Sequence, residues 1–121
     1  MAYLDGFVAA VPTANRDAYR AHAGEAAPLF HEFGATRLVE AWGDDVPRGE
    51  RNDLWGAAAA ADGEQVVFSW VEYPDKATRD AAGARMMDDP RMEAMAAAMP
   101  FDGRRMIYGG FVPVVRLGDV R

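Results

Sequence analysis

Val66-Val67-Phe68-Ser69-Trp70-Val71-Glu72-Tyr73-Pro74 is the stretch that decides the fold of this chain. It is crowded with β-branched and aromatic residues, opens after an Asp62-Gly63 turn signal and closes at a proline, so it reads as a strand. Alternation puts Val66, Phe68, Trp70 and Glu72 on one face and Val67, Ser69, Val71 and Tyr73 on the other. Both faces carry bulk. A strand apolar on both sides lies at the centre of its sheet and is covered twice, unlike the half-wet strand of an open meander.

Downstream, Asp75 follows the proline directly and is a good N-cap for a helix running to Asp89. Pro90 breaks that helix and suits the first turn of a second, shorter one capped by Asp89. Met92, Met95 and Met99 recur at spacings of three and four and are expected to turn inward, until Pro100 stops the helix. After the Asp102-Gly103 turn, a last strand is expected from Arg104 to Val115, with Gly109-Gly110 marking a bulge, and then a frayed tail from Arg116 to Arg121.

Upstream, Tyr3 to Val11 alternates and ends at Pro12, a first strand. Thr13 or Asn15 caps a helix whose apolar stripe is Tyr19, Ala23, Ala26, Phe30 and Phe33, with a bend expected near Pro28 and an end at Gly34. Ala35 to Trp42 is a second strand, with Leu38, Glu40 and Trp42 on one face. Residues 43–53 form a charged loop, of a length that serves lids, binding loops and plain surface excursions alike. The alanine-rich stretch 54–61 favours helix by propensity but abuts a strong strand, and a hairpin is expected there.

The order β-α-β-(β)-β-α-α-β folds, with short connections and right-handed crossovers, into an α+β, ferredoxin-like split βαβ antiparallel sheet with helices on one face, over residues 1–121 as a single domain. The aromatics of its strands cannot all face the helices. One sheet face would be left apolar in water, and pairing it with a second copy removes that exposure, so a homodimer is expected.

Charge and composition narrow the function. A net charge of −6, from 13 basic and 19 acidic residues, repels phosphate backbones, and no basic stripe offsets it, so no nucleic-acid partner is expected. The absence of cysteine removes disulfides, thiolate zinc sites and thiol catalysis, and fits the cytoplasm. The N-terminus has no basic region, so no secretory leader is expected, and no apolar run approaches the roughly 20 residues of a membrane helix.

Asp5, Glu40 and Glu72 each lie in an expected strand and alternate in phase with aromatics: Phe7, Trp42, and Phe68 with Trp70. If those faces coincide, three carboxylates look into an aromatic-lined cavity. Desolvation there would raise their pKa values and suit one of them for general acid or base work. Trp42, Trp70 and Tyr108 would line a ligand site, Tyr108 orienting a substrate oxygen, and His31 would reach it from the helix bend. The alternative is structural ion pairing of the carboxylates with Arg37, Arg104 or Arg105, or a place at wet strand ends. His22 and His31, nine residues apart, fall on opposite helix faces and make no metal pair, so no metal site is expected. The pattern names no cofactor. Two function classes stand side by side: an enzyme or binder acting on a small apolar or aromatic molecule between sheet and helices, and a non-catalytic dimeric interaction or structural module.

Four stretches carry a family resemblance: Tyr3 to Val8; Leu38 to Trp42 with Asp45-Val46-Pro47; Val66 to Pro74; and Asp88 to Met92 with Met99-Pro100-Phe101-Asp102-Gly103 through Met106-Ile107-Tyr108-Gly109-Gly110-Phe111. Together they resemble the YbaA-like bacterial proteins, a family of unknown function in the dimeric α/β-barrel superfamily. The resemblance implies a ferredoxin-like protomer whose sheet packs against that of a twin. That superfamily includes cofactor-independent monooxygenases, haem-degrading enzymes, isomerases and ligand-sensing domains, which use a pocket between sheet and helices or within the barrel. The resemblance implies no particular catalytic residue.

Overall fold

A computed structural model describes residues 1–118; the last three residues of the expected frayed tail lie outside the described residues. Strands β1 (Tyr3–Pro12), β2 (Arg37–Trp42), β3 (Glu64–Tyr73) and β4 (Ile107–Phe111) form one antiparallel sheet in the order β2-β3-β1-β4. Strand β3 is central, as its two-faced pattern predicts. It pairs with β1 from Tyr3↔Tyr73 to Pro12↔Glu64, and with β2 from Arg37↔Glu72 to Trp42↔Val67. Helices α1 (Arg16–Glu32), α3 (Lys76–Asp88) and α4 (Pro90–Ala97) pack on one face, which gives the α+β ferredoxin-like fold.

The caps explain the helix boundaries. Asp75 accepts a hydrogen bond from the Thr78 amide at 2.7 Å, and Asp89 accepts one from the Arg91 amide at 2.8 Å with Pro90 as first helical residue. Each such cap contributes about 1 kcal/mol. Helix α1 closes through Gly34, whose φ of 116° lets its amide reach the His31 carbonyl and the Ala35 amide reach that of Phe30. Asn15 occupies the cap position of α1 without capping it. Its side-chain amide donates instead to the Pro100 carbonyl at 2.9 Å, tying the end of the α4 segment to the start of α1.

Two segments differ from expectation. Residues 54–61 are not a strand: α2 (Leu54–Ala57) forms because Asp53 accepts from the Gly56 amide at 2.7 Å and alanine favours helix. Ala58 is then fully buried in a cluster with Ala10 and Val66, while Trp55 donates to the Val46 carbonyl at 3.0 Å. The last strand is also shorter than 104–115. Asp102 draws in Arg104 and Arg105 and holds Gly103–Arg105 in a 3-10 turn, so β4 begins only at Ile107. The glycine pair makes no bulge, since Gly109 and Gly110 pair in regular register with Gly6 and Asp5. A Cβ at Gly110 would collide with the Tyr3 ring.

Register decides the two faces. Phe7, Ala9, Val11, Val67, Ser69, Val71 and Tyr73 point to the helices, with Val11 and Val67 fully buried. Leu4, Val8, Phe68, Trp70 and Phe111 point the other way. Segment α2 covers one end of this second face, and the remainder is bare, with Phe68 50% and Phe111 55% exposed. Among the described residues no helix is long and apolar enough to cross a membrane.

Candidate functional site

Between sheet and helices lies a cavity of about 190 Å³. Its floor is Phe7 and Ala9 of β1, Leu38 and Glu40 of β2, and Ser69 and Val71 of β3. Helix α1 supplies Tyr19, His22, Ala23 and Ala26, and the α4 region closes the space with Met92, Met95, Met99 and Phe101. Alanines at 9, 23 and 26 leave the space open, because a larger side chain at any of them would fill it. The inward methionines are those whose helical spacing placed them there. His22 holds α4 in position through a 2.7 Å hydrogen bond to the Met95 carbonyl.

One end of the cavity is polar. Tyr19, 9% exposed, donates from its hydroxyl to Glu40 Oε1 at 2.5 Å. Register sets Glu40 directly opposite Ser69, which is 6% exposed and turned toward the Tyr19 hydroxyl. Burial, and then the Glu40 charge, push the Tyr19 pKa well above the ordinary phenol range, so this hydroxyl keeps its proton. The ring centroids of Trp42 and Phe101 lie 6.1 Å and 5.7 Å from that of Tyr19. Glu40 and Tyr19 also line an outer groove of about 630 Å³ together with Arg16, Arg20 and Trp42, where the Arg16 guanidinium lies 5.5 Å from the Trp42 ring. The polar pair thus stands between an apolar interior and solvent.

The three carboxylates picked out by sequence do not meet. Glu40 lines the cavity. Asp5 shares its sheet face but sits in an ion pair with Arg79 at 3.0 Å, an arginine outside the expected set. The Asp5 partnership holds the Arg79 pKa above its usual range, and burial, followed by the Asp5 charge, pushes Tyr73 up to about 12. Glu72 lies on the opposite face, because register places it beside Arg37 and Leu4; it accepts from the Trp70 indole at 3.0 Å and faces Arg37 at 3.6 Å. The shared three-acid cavity is therefore corrected to one acid, Glu40, and two ion pairs.

The remaining candidates divide likewise. Trp42 borders the outer groove. The Trp70 ring packs against Phe68 on the bare face, centroids 5.8 Å apart. Tyr108 lies 6.2 Å from Phe7 on the edge strand but is 74% exposed. His31 is exposed and borders a shallow groove beside Thr36 and Arg37 instead of the cavity. Sequence reasoning passed over Tyr19, His22 and Ser69 as site residues. A signal existed for two of them: His22 falls one turn after Tyr19 on the apolar stripe that also carries Ala26, so a polar atom there must face the core. Among the described residues no cluster of three or more His, Asp or Glu side chains could hold a metal ion.

The chain is 57% identical over 115 residues to the uncharacterized protein YbaA of Escherichia coli (strain K12), spanning 95% of this chain and 98% of that one. Its fold is similar to the crystal structure of a dimeric ferredoxin-like protein from an uncultured marine organism, with a TM-score of 0.61, 11% identity and coverage of 97% and 100%. It is also similar to SnoaB, a cofactor-independent oxygenase from Streptomyces nogalater, with a TM-score of 0.55, 13% identity and coverage of 98% and 97%. Matched over residues 2–103 by the family described as a protein of unknown function (DUF1428), this chain belongs to that family.

Proposed function

We propose that this chain is a homodimeric protein that binds, and through Glu40 acts on, a small apolar or aromatic molecule held between its sheet and helices. The observation that carries the reading is the cavity itself: an apolar space of about 190 Å³ with one carboxylate-bound hydroxyl at its end. Ligand sites have this composition, a mostly apolar wall with few convergent polar groups. The volume exceeds that of an engineered apolar cavity of about 150 Å³ that takes up benzene. Glu40 is the group placed for acid–base work, being in contact with both the cavity and the solvent-facing groove. Trp42 borders the entrance. Asp5 and Glu72 are assigned to structural ion pairs.

Two features support the dimer. The bare face presents Leu4, Val8, Phe68, Trp70 and Phe111 as one apolar surface, which a second copy would cover. A protein of similar fold is described as dimeric. The likeness to SnoaB is compatible with catalysis in such a cavity, at an identity that speaks for fold alone.

Native mass spectrometry of freshly purified protein tests the reading. A dimer retaining a small molecule that leaves on Met95→Trp, which fills the cavity, supports it. The second reading, a non-catalytic dimeric module, draws on the three adaptable methionines of the cavity wall, which suit gap filling. It predicts a dimer with nothing bound, whose mass changes on that substitution only by the difference between the two side chains.

A further inference from the structure

The polar atoms of the cavity are unevenly divided between donors and acceptors. Tyr19 gives its only proton to Glu40 Oε1, which leaves the phenol oxygen an acceptor. The second carboxylate oxygen of Glu40 has no hydrogen-bond or ion-pair partner among the described residues, and it too can only accept. His22 Nε2 lies 2.7 Å from the Met95 carbonyl, which only accepts, so that nitrogen donates and is already spent within the protein. Ser69 is the one other side chain with a hydroxyl proton, and it is turned toward Tyr19. Against these acceptors the wall offers apolar carbon and sulfur. The space of about 190 Å³ suits one ring and not several.

We propose that the cavity is selective for a hydrogen-bond donor: it takes a single-ring aromatic molecule bearing a hydroxyl, which donates to the Tyr19–Glu40 pair. This rests on the cavity being a ligand site and specifies what it takes. Glu40 is solvent-exposed on its groove side, so a ligand without a donor would displace water from these acceptors without replacing its hydrogen bonds, whereas a hydroxyl restores them. A second carboxylate inside the cavity would meet Glu40, so acids are disfavoured at this end. Arg16 and Arg20 do not change that, because they line only the outer groove. Tyr19 is positioned to pass a proton: with the ligand hydroxyl on its oxygen, the ligand proton moves to Tyr19 while the Tyr19 proton moves to Glu40. That leaves a ligand oxyanion, neutral Tyr19 and neutral Glu40, and no further reactant is required.

Calorimetric titration of the full chain with 4-nitrophenol and with nitrobenzene, at a pH where the phenol is un-ionised, isolates the hydroxyl. The expected result is binding of 4-nitrophenol at least about tenfold tighter than nitrobenzene, the range for a hydrogen bond to a charged group. Glu40→Gln and Tyr19→Phe, each checked for an unchanged melting profile, should bring the ratio toward one by weakening the phenol alone. Equal binding of both probes to the wild-type protein overturns donor selectivity and leaves the cavity reading standing. Binding of neither overturns both. A preference that survives both substitutions places the hydroxyl elsewhere and overturns the inference. Because the wild-type ratio alone can refute it, the test does not depend on the variants folding.

Discussion

On the helix-covered side of the sheet, Val67, Val71 and Tyr73 of β3 are all but sealed from solvent; on the other side of the same strand Phe68 is half exposed beside Trp70. The strand is equally apolar in both directions, so the difference comes from what the rest of the chain supplies. Helices α1, α3 and α4 cover one face and leave a void in it. Only α2 and its alanine run reach the other. On the proposed reading, the covered face, with its void and carboxylate-bound hydroxyl, holds the ligand. On the same reading the uncovered face, where Leu4, Val8 and Phe111 join Phe68 and Trp70, takes a second copy of the chain. The proposed reading thus gives one strand two partners of different size.

The sharpest way to break this contrast is to charge the bare face. Phe68→Glu should raise the dissociation constant of the dimer at least a thousandfold, about 4 kcal/mol, because the two-fold would bury two unpaired charges. The interface it disrupts should bury upwards of ~2,000 Å². Size-exclusion chromatography with light scattering checks this, and a wild-type monomer at micromolar concentration would end the dimer proposal. The variant should still bind the cavity ligand, since no helix-side residue changes.

Charging the covered face should act on folding instead. Met95→Asp sets a carboxylate among Phe30, Met92 and Met99, costing about 3 kcal/mol. A thermal melt like that of wild type would mean that α4 is a solvated flap and not a wall of the cavity.

Acid should loosen the protein through a third region, the anchor between β3 and the turn before β4. Glu64, 10% exposed, binds Arg105 through two 2.7 Å contacts and also accepts from the Ala61 amide; the Arg105 bonds, ahead of that amide, lower its pKa to about 2. A depressed carboxylate stabilises the fold fully above the unfolded value of about 4.3 and loses that contribution as pH falls toward 2. The urea midpoint should therefore fall across this window, and Glu64→Gln should flatten that part of the profile while lowering stability at neutral pH. Arg105 also donates to the Ala59 carbonyl, so its loss would loosen α2 as well.

The sequence carried the element types further than the site. Asp75, Asp89 and Pro90 announce their helices because capping is local chemistry, and Gly34 announces an ending for the same reason. The parity of each strand was also legible, since alternation needs only the strand itself. What one strand's parity cannot reveal is which of its faces meets which face of a neighbour. That depends on register, and a slip of one residue exchanges the faces. Glu40 and Glu72 both alternate with tryptophan, yet Glu40 pairs with Ser69 and Glu72 with Arg37, which sends them to opposite sides. Tyr19 was legible as a stripe residue, but its hydroxyl partner lies 21 positions away on another element.

Those two glutamates supply the finest test of the contrast, because the same substitution at each should have opposite consequences. Glu72→Gln removes the charge facing Arg37 at 3.6 Å, where Arg37 is 55% exposed, and retains a carbonyl oxygen for the Trp70 indole. A pair so open to solvent is worth less than about 1 kcal/mol, so the melting temperature should fall slightly and ligand retention should not change. Glu40→Gln keeps an oxygen for the Tyr19 hydroxyl but removes a charge held at the cavity wall. Stability should stay level or rise, since sites kept for function commonly cost stability, while ligand retention should fall. The measurement is paired thermal melts with native mass spectra on both variants. If Glu72→Gln empties the protein and Glu40→Gln does not, the working face of the sheet is the bare one, and the assignment of ligand to one side and partner to the other is reversed.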